Sequence, residues 1–250
     1  ADAFPEHAIQ VVPTTDRAAI PKLLSLTDSV DLCIPRGGEG LIRAVAECSH
    51  VPVIKHYKGI CSVYIDADAD TEKAVAVVVN SKTHRTGVCN AMETLLIDKS
   101  IAPNLLPQIA EALRNKGVEL RADEAARKIL GEATIAATNE DWDTEFLDLI
   151  CAIRIVDGID GALEHINQHG SGHTESIITE NKTAARRFQN EVDASTIFWN
   201  ASTRFSDGGE FGMGAEIGIS TDKIGARGPM GLTELTTYKW LGEGDGLIRT

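Results

Sequence analysis

The chain has 250 residues, 43% hydrophobic and 24% charged, with a formal net charge of −13. That composition is an ordinary globular one, large enough for one sizeable core or two modest ones. An acidic balance without a basic stripe argues against nucleic acid or an anionic membrane as the main partner, so an anionic substrate needs a local cationic pocket. No apolar run approaches the roughly 18 residues that span a bilayer. The polar start, Ala1 to Glu6, does not read as a signal peptide, and the expected location is the cytoplasm.

In chain order, residues 30–35 read as a strand, 36–40 as a glycine-rich loop and 41–48 as a helix. Gly37, Gly38 and Gly40 let backbone N–H groups at a helix start meet a phosphate. Their spacing is not the G-x-G-x-x-G dinucleotide fingerprint, and a plain tight turn reads equally well. Strands follow at 51–54 and 60–65, then a helix over 71–82 after Asp66, Asp68 and Asp70. These aspartates lack the glycine and terminal glutamate of a calcium loop, so helix capping is the better reading. Helices are expected over 101–115 and 123–130. A βαβ unit follows, with strand 151–156, helix 159–169 and strand 175–179, then a helix over 182–192 and a strand over 196–200. Alternation of this kind predicts an α/β fold with parallel sheets. His165, His169 and His173 fall four apart, but Gly170 and Gly172 interrupt the helix, so no metal is expected and the imidazoles are read as complementing a helix C-terminus.

Five cysteines, Cys33, Cys48, Cys61, Cys89 and Cys151, show no C-x-x-C spacing, which fits reduced thiols. Four lie in strand-like runs or at a helix end, where packing explains them. Cys89 differs: it sits between small and polar neighbours just before an apolar strand, with Gly87 and Ala91 leaving room for a substrate and backbone N–H groups near enough to hold an oxyanion. It is the candidate nucleophile.

Six ordered blocks carry a resemblance: VPVIKHYKG at 51–59, DADAD at 66–70, GVCNAMETLL at 87–96, FWNASTRF at 198–205, GAEIGIST at 214–221 and ARGPMGL at 226–232. They resemble γ-glutamyl phosphate reductase, of the aldehyde dehydrogenase superfamily, from about residue 35 to 239. The resemblance implies an aldehyde-dehydrogenase-like α/β fold: a parallel-sheet catalytic domain plus a partial Rossmann-like cofactor domain. The expected division is 1–57 as the C-terminal part of the NADP-binding domain, 58–227 as the cysteine-bearing catalytic domain, and 228–250 as a returning segment near an oligomer contact, with a strand over 235–240. The family's chain is longer at its N-terminus, so this one is expected to correspond to the C-terminal part, to leave cofactor affinity in question and to self-associate through uncovered apolar surface.

The resemblance also implies chemistry. Cys89 attacks the acyl phosphate of glutamyl phosphate, phosphate leaves, and NADPH reduces the thioester to glutamate 5-semialdehyde, a step of proline biosynthesis. Residues 54–57 stand where aldehyde dehydrogenases carry a water-activating glutamate, which favours keeping the thioester for hydride. Glu145 resembles the glutamate that binds the nicotinamide ribose, and Gly37 and Gly38 the loop beside the cofactor's phosphates and nicotinamide. Arg204 is the first choice for the substrate's carboxylate or phosphate, with the Ser202 and Thr203 hydroxyls in support. Asn200 joins them or fixes the strand-to-loop turn. Arg85 and Arg227 are weaker candidates. A homo-oligomer and an association with glutamate 5-kinase are the expected partnerships. A different acyl donor such as a CoA thioester, or a catalytically silent domain serving assembly, are the alternative readings.

Overall fold

The computed structural model describes residues 5–132, 134–246 and 248–249. The chain divides into two units, Ala1–Tyr57 and Lys58–Thr250. In the first, α1 (Ala19–Leu23) precedes α2 (Glu39–Cys48). Helix α2 buries Ile42 and Val45, three residues apart and so on one face, and Val45 joins Leu24 and Val51 in a small core. The two strands expected here shrink to a single parallel bridge between Cys33 and Val53, in which the Cys33 N–H donates to the Pro52 carbonyl (2.9 Å) and the Ile54 N–H to the Cys33 carbonyl (2.9 Å). Pro35 and Pro52 have no N–H to extend the ladder.

The second unit alternates strand and helix. Its elements are β1 (Cys61–Ile65), α3 (Thr71–Thr83), β2 (Met92–Asp98), α4 (Ala102–Arg114), β3 (Glu119–Ala122), α5 (Glu124–Leu130), β4 (Ile135–Ala136), β5 (Ile150–Val156), α6 (Gly158–His169), β6 (Thr174–Ile178), α7 (Lys182–Glu191) and β7 (Thr196–Trp199). The strands form one seven-stranded parallel sheet in the order β4-β3-β5-β2-β1-β6-β7. Helices α3, α4 and α5 pack on one face in the main core, and α6 and α7 on the other. With both faces covered, every residue of β1, β2 and β6 is buried. The alternating α/β architecture with a parallel sheet is thus the one expected.

Short polar contacts fix the crossovers. The Asp70 carboxylate accepts from the Lys73 N–H (2.9 Å) and caps α3, the role expected of it. Asp66 and Asp68 instead tie β1 to the start of α7, accepting from the Thr179 hydroxyl (2.7 Å) and the Asn181 side-chain amide (2.9 Å).

Beyond β7, β8 (Gly218–Ser220) and β9 (Gly228–Met230) form an antiparallel pair that straddles residues 227 and 228, within the second unit. The strand expected over 235–240 does not form. A 3-10 turn covers Thr233–Leu235, and Tyr238 and Trp240 are 80% and 90% exposed. A strand needs a neighbour to receive its ladder, and apolar propensity alone does not provide one. Among the described residues no helix is long and apolar enough to cross a membrane.

Candidate active site

Cys89 is half-buried in the loop between α3 and β2. Its backbone is gripped from the entry to β1. A Cβ on Gly59 would lie 1.9 Å from the Cys89 carbonyl oxygen, so only glycine permits this approach. The Cys61 thiol donates to the same oxygen (3.2 Å), and the Gly59 N–H donates to Glu145 Oε1 (3.0 Å). The carboxylate expected beside a cofactor thus stands next to the Cys89 loop. Burial pushes the Cys89 thiol up to about 11, and the Glu145 and Glu216 carboxylates add to it. The residue's own N–H and the Arg204 guanidinium pull the other way.

Arg204 reaches this site because the chain reverses after β7. Asn200 adopts φ +54°, in the left-handed region, and its side chain accepts from the Thr179 N–H (2.9 Å) and donates to the Thr179 carbonyl (3.0 Å) and Glu180 (3.2 Å). Segment 201–206 then returns past β6 and α3. The Ser176 hydroxyl donates to the Ala201 carbonyl (2.7 Å), and the Asn90 amide, next to Cys89, donates to the Ser206 carbonyl (2.9 Å). Ser202 caps a 3-10 turn by accepting from the Arg204 N–H (3.2 Å) and from the Ser81 hydroxyl (3.0 Å). Thr203 is fully buried with its hydroxyl unpaired.

The structure therefore brings Arg204 and Glu145 to Cys89, uses Ser202 to shape the turn, and employs Asn200's side chain at the far end of β7. Arg204 Nε is buried without a hydrogen-bond partner. Burial, together with the nearby charge of Arg85, holds the Arg204 pKa below the usual guanidinium range. Arg204 thus feels a second guanidinium and the Asp207 carboxylate, and keeps one donor that a carboxylate or phosphate oxygen suits. Arg227 lies elsewhere, paired with Asp193 (2.7 Å).

Beneath the loop lie charged groups that sequence reasoning missed. Lys82 and Glu93 form an ion pair of 2.6 Å with both side chains fully buried. Glu175 on β6 is also fully buried. Its Oε2 accepts from the Ser62 N–H (2.7 Å) while Oε1 has no partner, and burial raises the carboxyl to about 8. The available signal was a glutamate inside each otherwise apolar or small-residue strand, Met92 to Asp98 and Thr174 to Ile178.

The aldehyde dehydrogenase family's profile matches residues 1–128, just over half of the chain. The chain belongs to the aldehyde dehydrogenase family. It is similar to a γ-glutamyl phosphate reductase from Thermotoga maritima, at 48% identity and a TM-score of 0.93, covering 96% of this chain and 57% of that one. It thus spans little more than half of that reductase's length. An acetylating aldehyde dehydrogenase from Geobacillus thermoglucosidasius is 21% identical, with a TM-score of 0.72 over 98% of this chain and 63% of that one, and shares the fold.

Members of the aldehyde dehydrogenase family work with nicotinamide dinucleotides, and residues of the first unit fit part of such a ligand. Gly38 is the N-cap of α2, and a Cβ on Gly38 or Gly40 would meet nothing within 4 Å, so the helix start is open to a phosphate. Gly37 has φ +156°, and a Cβ there would lie 2.6 Å from Leu41 Cδ2. A cavity of about 590 Å³ adjoins this start, lined by Arg17, Ile20, Gly38, Gly40 and Leu41 among others.

The three histidines divide. His169, in the last turn of α6, pairs with Asp143 (2.8 Å). His165 is buried 3.0 Å from an Arg154 nitrogen; burial and that guanidinium hold it down to about 3, so it is neutral and complements no dipole. His173 lies past the helix, with Nδ1 2.8 Å from the Thr174 hydroxyl.

Proposed function

We propose that this chain carries the nucleophile and the substrate's anion site of an NADPH-dependent reductase that converts L-glutamyl 5-phosphate to L-glutamate 5-semialdehyde and phosphate, in the cytoplasm, as a step of proline biosynthesis. The observation that carries this reading is Cys89 beside Arg204, whose Nε has no hydrogen-bond partner, in a sequence 48% identical to a γ-glutamyl phosphate reductase. The five cysteines are all free, as a reducing compartment requires.

In this reading Arg204, with Arg85 close by, orients the anionic end of the substrate so that its acyl carbon faces the Cys89 sulfur. The thiol is protonated at rest and must lose its proton before attack. Glu145 and Glu216 are the carboxylates whose charge the sulfur feels. Attack forms the sulfur–carbon bond, the carbon–oxygen bond to phosphate breaks, and the acyl group remains on Cys89 as a thioester. NADPH, when bound, supplies the hydride that reduces it. The resemblance assigns Gly37 and Gly38 of the first unit, and separately Glu145 of the second, to the cofactor.

The test is phosphate-dependent reduction of NADP⁺ with glutamate 5-semialdehyde, alongside a CoA-dependent arm and Cys89→Ala. The expected result is turnover with phosphate alone, lost by on the order of 10⁴-fold or more in the variant. Turnover with CoA in place of phosphate assigns a different acyl donor. Turnover that survives in Cys89→Ala removes the nucleophile from the scheme.

A further inference from the structure

The fully buried Lys82–Glu93 pair is no ordinary ion pair of a core, because its strand is distorted at that residue. Pairing of β1 with β2 runs Cys61 to Met92 and then Ser62 to Thr94, so Glu93 is the extra residue of a bulge. Pairing with β5 on the other side begins at Thr94. The bulge leaves Glu93 free to use both oxygens: Oε2 meets Lys82 Nζ (2.6 Å), and Oε1 accepts from the Leu147 N–H (3.3 Å). Leu147 has φ +55°, a left-handed conformation that a leucine holds only where its surroundings impose it.

Two residues earlier on the same loop, Glu145 accepts from the Gly59 N–H (3.0 Å), and Gly59 abuts the Cys89 carbonyl. A continuous line of contacts therefore runs from Lys82 through Glu93, Leu147, Glu145 and Gly59 to Cys89.

We infer that the buried Lys82–Glu93 pair is a positioning device for the nucleophile: it holds the 145–147 loop so that the Glu145 carboxylate stays beside Cys89 and sets the electrostatic surroundings of its sulfur. The inference rests on Cys89 being the nucleophile, but its test does not need turnover. Glu93→Gln preserves volume and can accept from Lys82 with its amide oxygen, but its NH2 group, a donor, then stands where Oε1 accepted from the Leu147 N–H. Released, the loop takes Glu145 away from the sulfur.

The readout is the rate of Cys89 alkylation by iodoacetamide between pH 7 and 10. Glu93→Gln is expected to raise the rate at pH 8 about 3- to 10-fold, because each unit by which the thiol pKa falls gives ten times more thiolate. Glu145→Gln is expected to do the same, and the double variant to gain no more than either single one. Glu93→Asp, which keeps the charge but shortens the reach, should fall between Glu93→Gln and the parent. A folded Glu93→Gln or Glu93→Asp chain with a lowered Tm and the parental alkylation profile would overturn the inference and leave the pair a purely structural one. Amide hydrogen exchange on the unmodified chain decides the case if neither variant folds: Leu147 should be protected, and rapid exchange there refutes the anchoring. Loss of reductase activity in Cys89→Ala bears on the proposed function alone.

Discussion

Glu93 and Glu175 sit in strands that flank β1 on either side, both fully buried, yet the molecule accommodates them in opposite ways. Glu93 meets a lysine, on a bulge that lets each oxygen find a partner. Glu175 meets Ser62, whose N–H it accepts from, and keeps one oxygen unpaired. Burial raises both carboxyls, to about 7 for Glu93 against the pull of Lys82, and to about 8 for Glu175. A buried carboxyl can be tolerated by a counter-ion or by keeping its proton, and the neighbour decides which.

The sharpest way to break this contrast is Lys82→Met. It leaves Glu93 buried without its counter-ion and is expected to cost about 3–5 kcal/mol of stability in urea unfolding at pH 7, the usual penalty for halving a buried pair. A loss below about 1 kcal/mol would mean that Glu93 had been neutral in the parent chain.

Glu175→Gln probes the other solution. A carboxyl whose folded pKa is about 8, against an ordinary 4.5, holds a proton in the folded state that the unfolded chain has released. Its contribution is therefore complete below pH ~4.5 and is lost as pH rises through ~8, at up to about 1.4 kcal/mol per pH unit. Glutamine has no proton to lose. Unfolding at pH 5 and pH 8 should show the parent losing stability relative to Glu175→Gln across that window, and parallel curves would place an ionised carboxylate at 175 at neutral pH.

Arg204→Met is expected to raise KM for the acyl phosphate on the order of 10- to 100-fold, the loss of one charged hydrogen-bonding partner, with the stability curve little changed. An unchanged KM would move the anion site elsewhere. The smallest effect belongs to an exposed carboxylate: Asp70→Ala should cost about 1 kcal/mol, the worth of an N-cap, in thermal unfolding near neutral pH. A larger loss would show that Asp70 does more than cap α3.

Legibility in the sequence followed the range of the interactions concerned. Helix α3 and its aspartate cap, α4, α6 and α7 were readable because periodicity and capping are local signals. Strand β4, with two residues, offered too short a pattern to detect, and the expected strand over 235–240 failed because a strand's neighbour is not written in its own residues. Cys89 stood out by its small neighbours, and Arg204 by the block that contains it. Ser202 and Asn200 were legible as residues of that block, while their work in turning the chain back appeared only with the fold.

By itself the sequence determined the α/β class, the family resemblance and the choice of Cys89 as the candidate nucleophile, because local pattern and ordered motifs carry them. Tertiary structure alone decided that Lys82 and Glu93 meet in the core, that Glu175 keeps an unpaired oxygen, and that Glu145 and Arg204 act on one sulfur from opposite signs of charge. Burial and electrostatic pairing depend on which distant segments the sheet order places side by side, and no window along the chain contains that information.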